Sequence, residues 1–147
     1  MSRDGGTKLF IPILAPVYRC TETLAWPLIR AVCGLMLLPH GIMKLTNLAF
    51  AANVTRLIGR LGFAPSVAWF WFIVLLETIG GVLLAIGLFT RPVALMITVE
   101  MLVITFAVLL PAGRPYETTL MWALLAFAIA LRGGGRWSVD RCMGREL

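Results

Sequence analysis

The chain has 147 residues, of which 60% are hydrophobic and 14% charged, with a net charge of +6 at neutral pH. A core of that length cannot hide so much apolar surface from water, so a soluble globular fold is excluded and lipid is the expected solvent. The basic balance comes without a basic patch interleaved with aromatic residues, so it fits membrane topology better than nucleic acid, and no nucleic-acid partner is expected.

Residues 1–23 are expected to form an N-terminal cytoplasmic or interfacial segment. Its apolar stretch, 9–18, is broken by Pro12 and Pro16, is too short to span, and has no small-residue cleavage site after it. A transmembrane domain is predicted over 24–132, followed by a basic cytoplasmic tail over 133–147. Four apolar stretches approach the ~20 residues that a spanning helix needs. They are 24–45, 66–89, 92–110 and 116–131, the last of them short.

Between the first and second stretches, 46–62 sets Phe50, Val54, Leu57, Ile58 and Leu61 against Asn53, Arg56 and Arg60. That pattern predicts a short amphipathic helix lying flat at the interface. Proline marks the later breaks. Pro65 precedes the second helix, Thr90-Arg91-Pro92 separates second from third, and Pro111 to Pro115 separates third from fourth. These connections are tight, so helices two to four should run up and down as antiparallel neighbours. The expected fold class is all-α: a membrane four-helix antiparallel bundle with a short interfacial helix between its first two helices.

Lysine and arginine set the expected orientation. Arg3, Lys8, Arg19, Arg91, Arg132, Arg136, Arg141 and Arg145 fall on one side of such a bundle, and Lys44, Arg56, Arg60 and Arg114 on the other. The richer side should be cytoplasmic, which places both termini inside.

Polar residues at membrane depth carry the functional information, because a charge there costs roughly 2.5–3.5 kcal/mol on insertion scales and needs a partner or a task. In the first helix Arg30 and Lys44 share one face, with His40 on its flank and Gly34 and Gly41 beside it for close helix approach. Pro39, within the same helix, should kink it and free a carbonyl near His40. Glu77 and Glu100 lie mid-span in the second and third helices, and Glu117 opens the fourth. The helical rise puts Arg30 within reach of Glu100 and Glu77, and His40 and Lys44 at the level of Glu117. Two polar layers are therefore expected: an inner one of Arg30, Glu77 and Glu100, and an outer one of His40, Lys44 and Glu117.

Each residue has two readings. Arg30 with a glutamate is a register-fixing ion pair or part of a binding site or proton relay. His40 is an ordinary interfacial histidine or a proton-active, head-group-binding one. Lys44 snorkels to the surface or joins a site, and Glu117 is a favourable first-turn carboxylate or a site residue. The tryptophans read most simply as interfacial anchors or packing residues. One histidine and three scattered cysteines, Cys20, Cys33 and Cys142, make no haem, iron–sulfur or zinc ligand set, so no metal site and no covalently held cofactor is expected.

Several of these stretches resemble the DoxX family of small bacterial membrane proteins. Arg30 followed by Pro39-His40-Gly41-Ile42-Met43-Lys44 is similar to the family's first-helix arginine and its histidine-glycine-lysine end. Leu76-Glu77-Thr78-Ile79-Gly80-Gly81 resembles its second-helix glutamate with paired glycines. Gly87-Leu88-Phe89-Thr90-Arg91-Pro92 resembles its turn, and Gly133-Gly134-Gly135-Arg136-Trp137-Ser138-Val139-Asp140 its tail. The resemblance runs from about Trp26 to Asp140. It implies a four-helix bundle in the bacterial inner membrane and an association with quinone-linked oxidoreductases.

Two functions stand side by side at this point. One is an accessory subunit, an anchor or scaffold without catalytic residues of its own, whose protein partner bears a redox cofactor, with self-association as the alternative. The other is an intramembrane site for a quinone or another amphipathic molecule, supplied with polar groups by Arg30, His40, Lys44, Glu77, Glu100 and Glu117. A small transporter is a third and weaker reading, since four helices are few for alternating access.

Overall fold

The computed structural model describes residues 15–144, and every regular element among them is helical. Helix α1 (Ala15–Thr46) runs without a break through Pro27 and Pro39, so neither proline ends it. The cytoplasmic or interfacial segment expected over residues 1–23 lies outside the described residues except at 15–23, which are helical and form the start of α1. Asn47 then turns the chain by accepting a hydrogen bond from the Phe50 amide at 3.0 Å, and this cap starts α2 (Leu48–Arg60).

The second long helix is composite. It begins as α3 (Ser66–Leu75), widens through a π-turn at Leu76–Gly80, and resumes as α4 (Gly81–Ile86). Gly87, in the left-handed region at φ 77°, closes it. Helix α5 (Thr90–Val103) starts at Thr90, so the turn falls at 87–89, earlier than the break the sequence suggested at Thr90-Arg91-Pro92, and Pro92 lies inside the first helical turn. It too widens, over Ile104–Leu109. A loop leads to α6 (Glu117–Arg132), and the short α7 (Val139–Cys142) follows.

Three helices are long and apolar enough to cross a bilayer: Leu24–Thr46, Ser66–Ile86 and Thr90–Leu109. The chain is a multi-pass membrane protein, and lipid is its solvent. Leu28, Val32, Leu35, Leu75, Val99 and Leu124 all point outward, where water would oppose them and lipid does not. Helix α6, at 16 residues, is shorter than the other three and packs along α5.

Small residues set the closest helix contact. A Cβ on Gly34 would collide with the Gly81 carbonyl, and one on Gly41 would meet the Thr78 methyl at 2.5 Å. The α1 and α4 backbones therefore touch, as small residues permit in lipid, where packing rather than exclusion of water drives helix association. Leu37, Leu84, Ile97 and Ile129 fill the centre of the bundle. A second cluster, Ile58 with Phe70 and Val74, fastens α2 to α3.

Candidate functional site

The site begins with a lysine at the end of α1. Lys44 Nζ donates to Glu77 Oε1 at 2.6 Å and Oε2 at 2.5 Å, and the Glu77 side chain is almost fully enclosed. Glu77 sits in the π-turn, the wide stretch that interrupts the second long helix. Such turns recur at functional sites because they re-aim a side chain without ending the helix.

Beside this pair stands Glu100 of α5, only 8% exposed, with Glu77 and Lys44 as its charged neighbours. Neither of its carboxylate oxygens has a hydrogen-bond partner among the described residues. A buried carboxyl group without partners is costly in a fold, and natural structures reserve few of them.

Lys44 and Glu100 contribute to the lining of a cavity of about 560 Å3, and every other lining side chain is apolar. Val54, Leu57 and Leu61 of α2 form one wall, Trp69 and Phe72 of α3 another, and Val99 of α5 a third. Leu95, Met96 and Val99 are also exposed on the lipid-facing flank, so the mouth opens toward the bilayer. Helix α2 has the amphipathic pattern read from its sequence, and its apolar face covers this cavity while Arg56 and Arg60 stay exposed.

Arg30 belongs elsewhere. It is 2% exposed and donates to the carbonyl oxygens of Gly134, Trp137 (2.9 Å) and Ala85 (3.4 Å). The expected bridge from Arg30 to Glu77 or Glu100 is therefore corrected: the residues after α6 fold back and occupy the guanidinium with backbone carbonyls. An arginine presents a fork of donors, and carbonyls ending a helix need donors, so the two terminal nitrogens of Arg30 match them, while its buried Nε has no partner among the described residues.

Trp26, read from sequence as an interfacial anchor or packing residue, joins this cluster. Its Nε1 donates to the Gly133 carbonyl at 3.0 Å, and the Arg132 guanidinium lies 4.5 Å from its ring centre.

Asp140 completes the latch. Its carboxylate accepts from the Phe89 amide at 2.8 Å, the Thr90 amide at 2.9 Å and the Thr90 hydroxyl at 2.7 Å. Phe89 sits at φ 50°, a conformation a side-chain-bearing residue rarely adopts, and the carboxylate fixes it there while capping α5. Burial pushes the Asp140 carboxyl up, but the hydrogen bonds from Thr90 and Phe89 and the charge of Arg30 outweigh it and hold the group below the usual carboxylate range.

The outer layer is corrected as well. Lys44 pairs with Glu77 rather than standing with His40 and Glu117. His40 is exposed on the outer face of α1, and Glu117 is exposed in the first turn of α6. Of the six candidates, the structure gathers Lys44, Glu77 and Glu100, moves Arg30 to the tail latch, and leaves His40 and Glu117 outside the bundle. Sequence reasoning gave no role to Asp140 or Thr90, although the tail and turn motifs containing them had been singled out. It also missed that α2 walls a cavity. Among the described residues, no three or more His, Cys, Asp or Glu side chains converge as a metal site would require.

A family model described as DoxX matches residues 25–110. That interval contains the whole cavity lining, Lys44 to Val108, and Arg30, and it ends before α6 and the tail. No curated protein and no solved structure matches the chain significantly.

Proposed function

Because the chain belongs to the DoxX family of membrane proteins, we propose that its bundle is an intramembrane binding site for an amphipathic small molecule, with a quinone as the class that the family resemblance suggests. One observation carries the reading: Glu100, a buried carboxyl group with no hydrogen-bond partner among the described residues, belongs to the lining of an otherwise apolar cavity of about 560 Å3. Small-molecule sites combine these features, a mostly apolar pocket of ~300–1,000 Å3 and a few polar groups that fix orientation. The mouth on the lipid-facing flank suits a molecule that arrives from the bilayer.

In this reading the protein works as the membrane-embedded accessory subunit of a quinone-linked oxidoreductase in the bacterial inner membrane, with both termini cytoplasmic. Lys44, Glu77 and Glu100 hold the head of the molecule and handle its protons. Cys33 is buried and Cys142 exposed, so these two thiols stand in different surroundings and form no redox pair. Electrons would come from a partner's cofactor.

The test is purification of the full chain from its native membrane in mild detergent, with mass spectrometry of the proteins and lipids that accompany it. A stoichiometric amphipathic molecule retained by the wild type and lost from Leu57→Trp, which fills the cavity, is the expected result. A wild-type chain that carries nothing, and that takes up no quinone when reconstituted with it, would overturn the reading. A redox subunit in the same preparation would identify the partner.

A further inference from the structure

A smaller groove lies apart from the Lys44 cluster. It encloses about 390 Å3 between α5 and α6, lined by Arg91, Pro92 and Leu95 of α5 and by Phe127, Ala130 and Leu131 of α6. Each set covers one helical turn, so the groove is only about 6 Å long. Leu95, Phe127 and Leu131 are 50%, 43% and 66% exposed, so its apolar walls face hydrocarbon. Arg91, in the first turn of α5, is exposed at the groove's end.

That end of the bundle carries more positive charge. Helix α6 packs along α5 and finishes at Arg132, next to the groove residue Leu131. Asp140 ties the tail to Phe89 and Thr90, which brings Arg136 and Arg141 to the same end. All four arginines are exposed. Asp140 itself is turned inward on its hydrogen bonds, with buried Arg30 beside it, so it does not offset them. Trp137, 63% exposed in the same tail, is the kind of ring that settles at head-group level.

We propose that the α5–α6 groove binds an anionic phospholipid of the surrounding membrane, with the upper part of one acyl chain between Leu95, Phe127 and Leu131 and the phosphate at the arginine end. Basic pockets between membrane helices take such head groups, and each arginine near the surface adds to the preference. The summed charge of this end selects the head, not a spare donor on any one arginine. A zwitterionic lipid brings its own ammonium group to a surface that is already positive, so the groove alone holds it. Leu95 also lines the larger cavity, so the chain of a bound lipid ends beside that cavity's mouth. The lipid site stands whether or not the larger cavity is occupied.

The experiment is native mass spectrometry of the full chain in mild detergent, titrated with dioleoylphosphatidylglycerol or dioleoylphosphatidylcholine. The two lipids share their chains and differ in head charge. The first phosphatidylglycerol should bind about tenfold more tightly than the first phosphatidylcholine. Arg91→Gln should weaken phosphatidylglycerol about fivefold and leave phosphatidylcholine unchanged. Leu131→Trp, which fills the groove from an exposed position, should weaken both lipids, and Phe127→Trp repeats that test if the first variant does not fold. Arg114→Gln, in the loop at the opposite end, should change neither.

Equal binding of the two lipids by the wild type would overturn the proposal. So would a phosphatidylglycerol preference that survives undiminished in Arg91→Gln and in the groove-filling variants, because diffuse surface charge would then account for it. A dimer in the spectra that Leu131→Trp dissolves would give the groove to a second copy of the chain instead.

Discussion

Lys44, in the last turn of α1, holds both carboxylate oxygens of Glu77, in the π-turn between α3 and α4, at 2.6 and 2.5 Å. The pair satisfies Glu77 completely and leaves its neighbour Glu100 unpartnered. Two carboxyl groups close together in one bundle therefore differ, one paired within the fold and one buried beside the cavity without a partner.

Breaking that pair from one side should be far worse than removing it whole. Glu77→Leu alone leaves a buried ammonium group and should destabilise the chain by about 3–5 kcal/mol. Lys44→Met combined with Glu77→Leu should recover most of that loss. Thermal or denaturant unfolding in detergent of these two variants, of Lys44→Met alone and of the wild type, read by circular dichroism, checks the cycle.

The contact between α1 and α4 leaves no room for a side chain. Gly34→Val should force the helices apart and cost about 1–3 kcal/mol or more, because the obstacle is the Gly81 backbone and not a flexible side chain. Gly59→Ala, where a Cβ meets only the Ser66 side chain at 3.7 Å, should be close to neutral in the same unfolding measurement.

The tail latch should open when its arginine is removed. In Arg30→Ala the carbonyls of Gly134 and Trp137 lose their donor, and trypsin should cut after Arg136 or Arg141 on the order of tenfold faster than in the wild type. Unchanged cleavage would mean that Trp26 and Asp140 hold the tail without Arg30.

Asp140 gives that latch a pH dependence with a definite sign. Its folded carboxyl lies below the ordinary value, so the stability it contributes is complete above the unfolded pKa of about 3.9 and is lost as pH falls through the lowered, folded one. Amide exchange at Phe89 and Thr90, corrected for intrinsic rates, should show full protection above about pH 4 and a decline further into acid. In Asp140→Asn protection should be weak throughout and this acid decline absent.

Orientation can be read from thiols. Cys142 is exposed, and Asp140 ties its helix to the turn before α5, so tail and turn share one side of the membrane. In a Cys20→Ser background an impermeant maleimide should label Cys142 from the cytoplasmic side only. Arg114→Cys, in the loop before α6, should label from the opposite side.

Much of the bundle could be read from the sequence, because lipid forces apolar runs of fixed length and proline and glycine mark their ends. The amphipathic pattern of 46–62 also came through, since Val54, Leu57, Ile58 and Leu61 recur at helical spacing. The pairing of charges did not. Depth counted along straight helices put Lys44 with Glu117, but depth alone does not say which face a side chain takes, and the π-turn at Leu76–Gly80 changes the face Glu77 presents. Arg30 was assigned to a carboxylate because charge suggests charge. Its real partners are backbone carbonyls, which every residue carries and no sequence pattern marks. The part played by Asp140 depended on Phe89 adopting a left-handed conformation, which nothing in the identity of a phenylalanine announces.

Helix α6 has 16 residues and so rises only about 24 Å, while the hydrocarbon layer of an ordinary bilayer is about 30 Å thick. Its neighbours in the bundle are longer, so the mismatch falls on one flank. Lipids beside α6 must shorten their chains to meet it, and those on the opposite flank need not. A bilayer crossed by α6 is therefore expected to be thinner along that single edge. In a membrane of varying thickness it should collect where the sheet is thinnest, and copies should approach one another edge to edge along the α6 flank, where a shared dimple costs less than two.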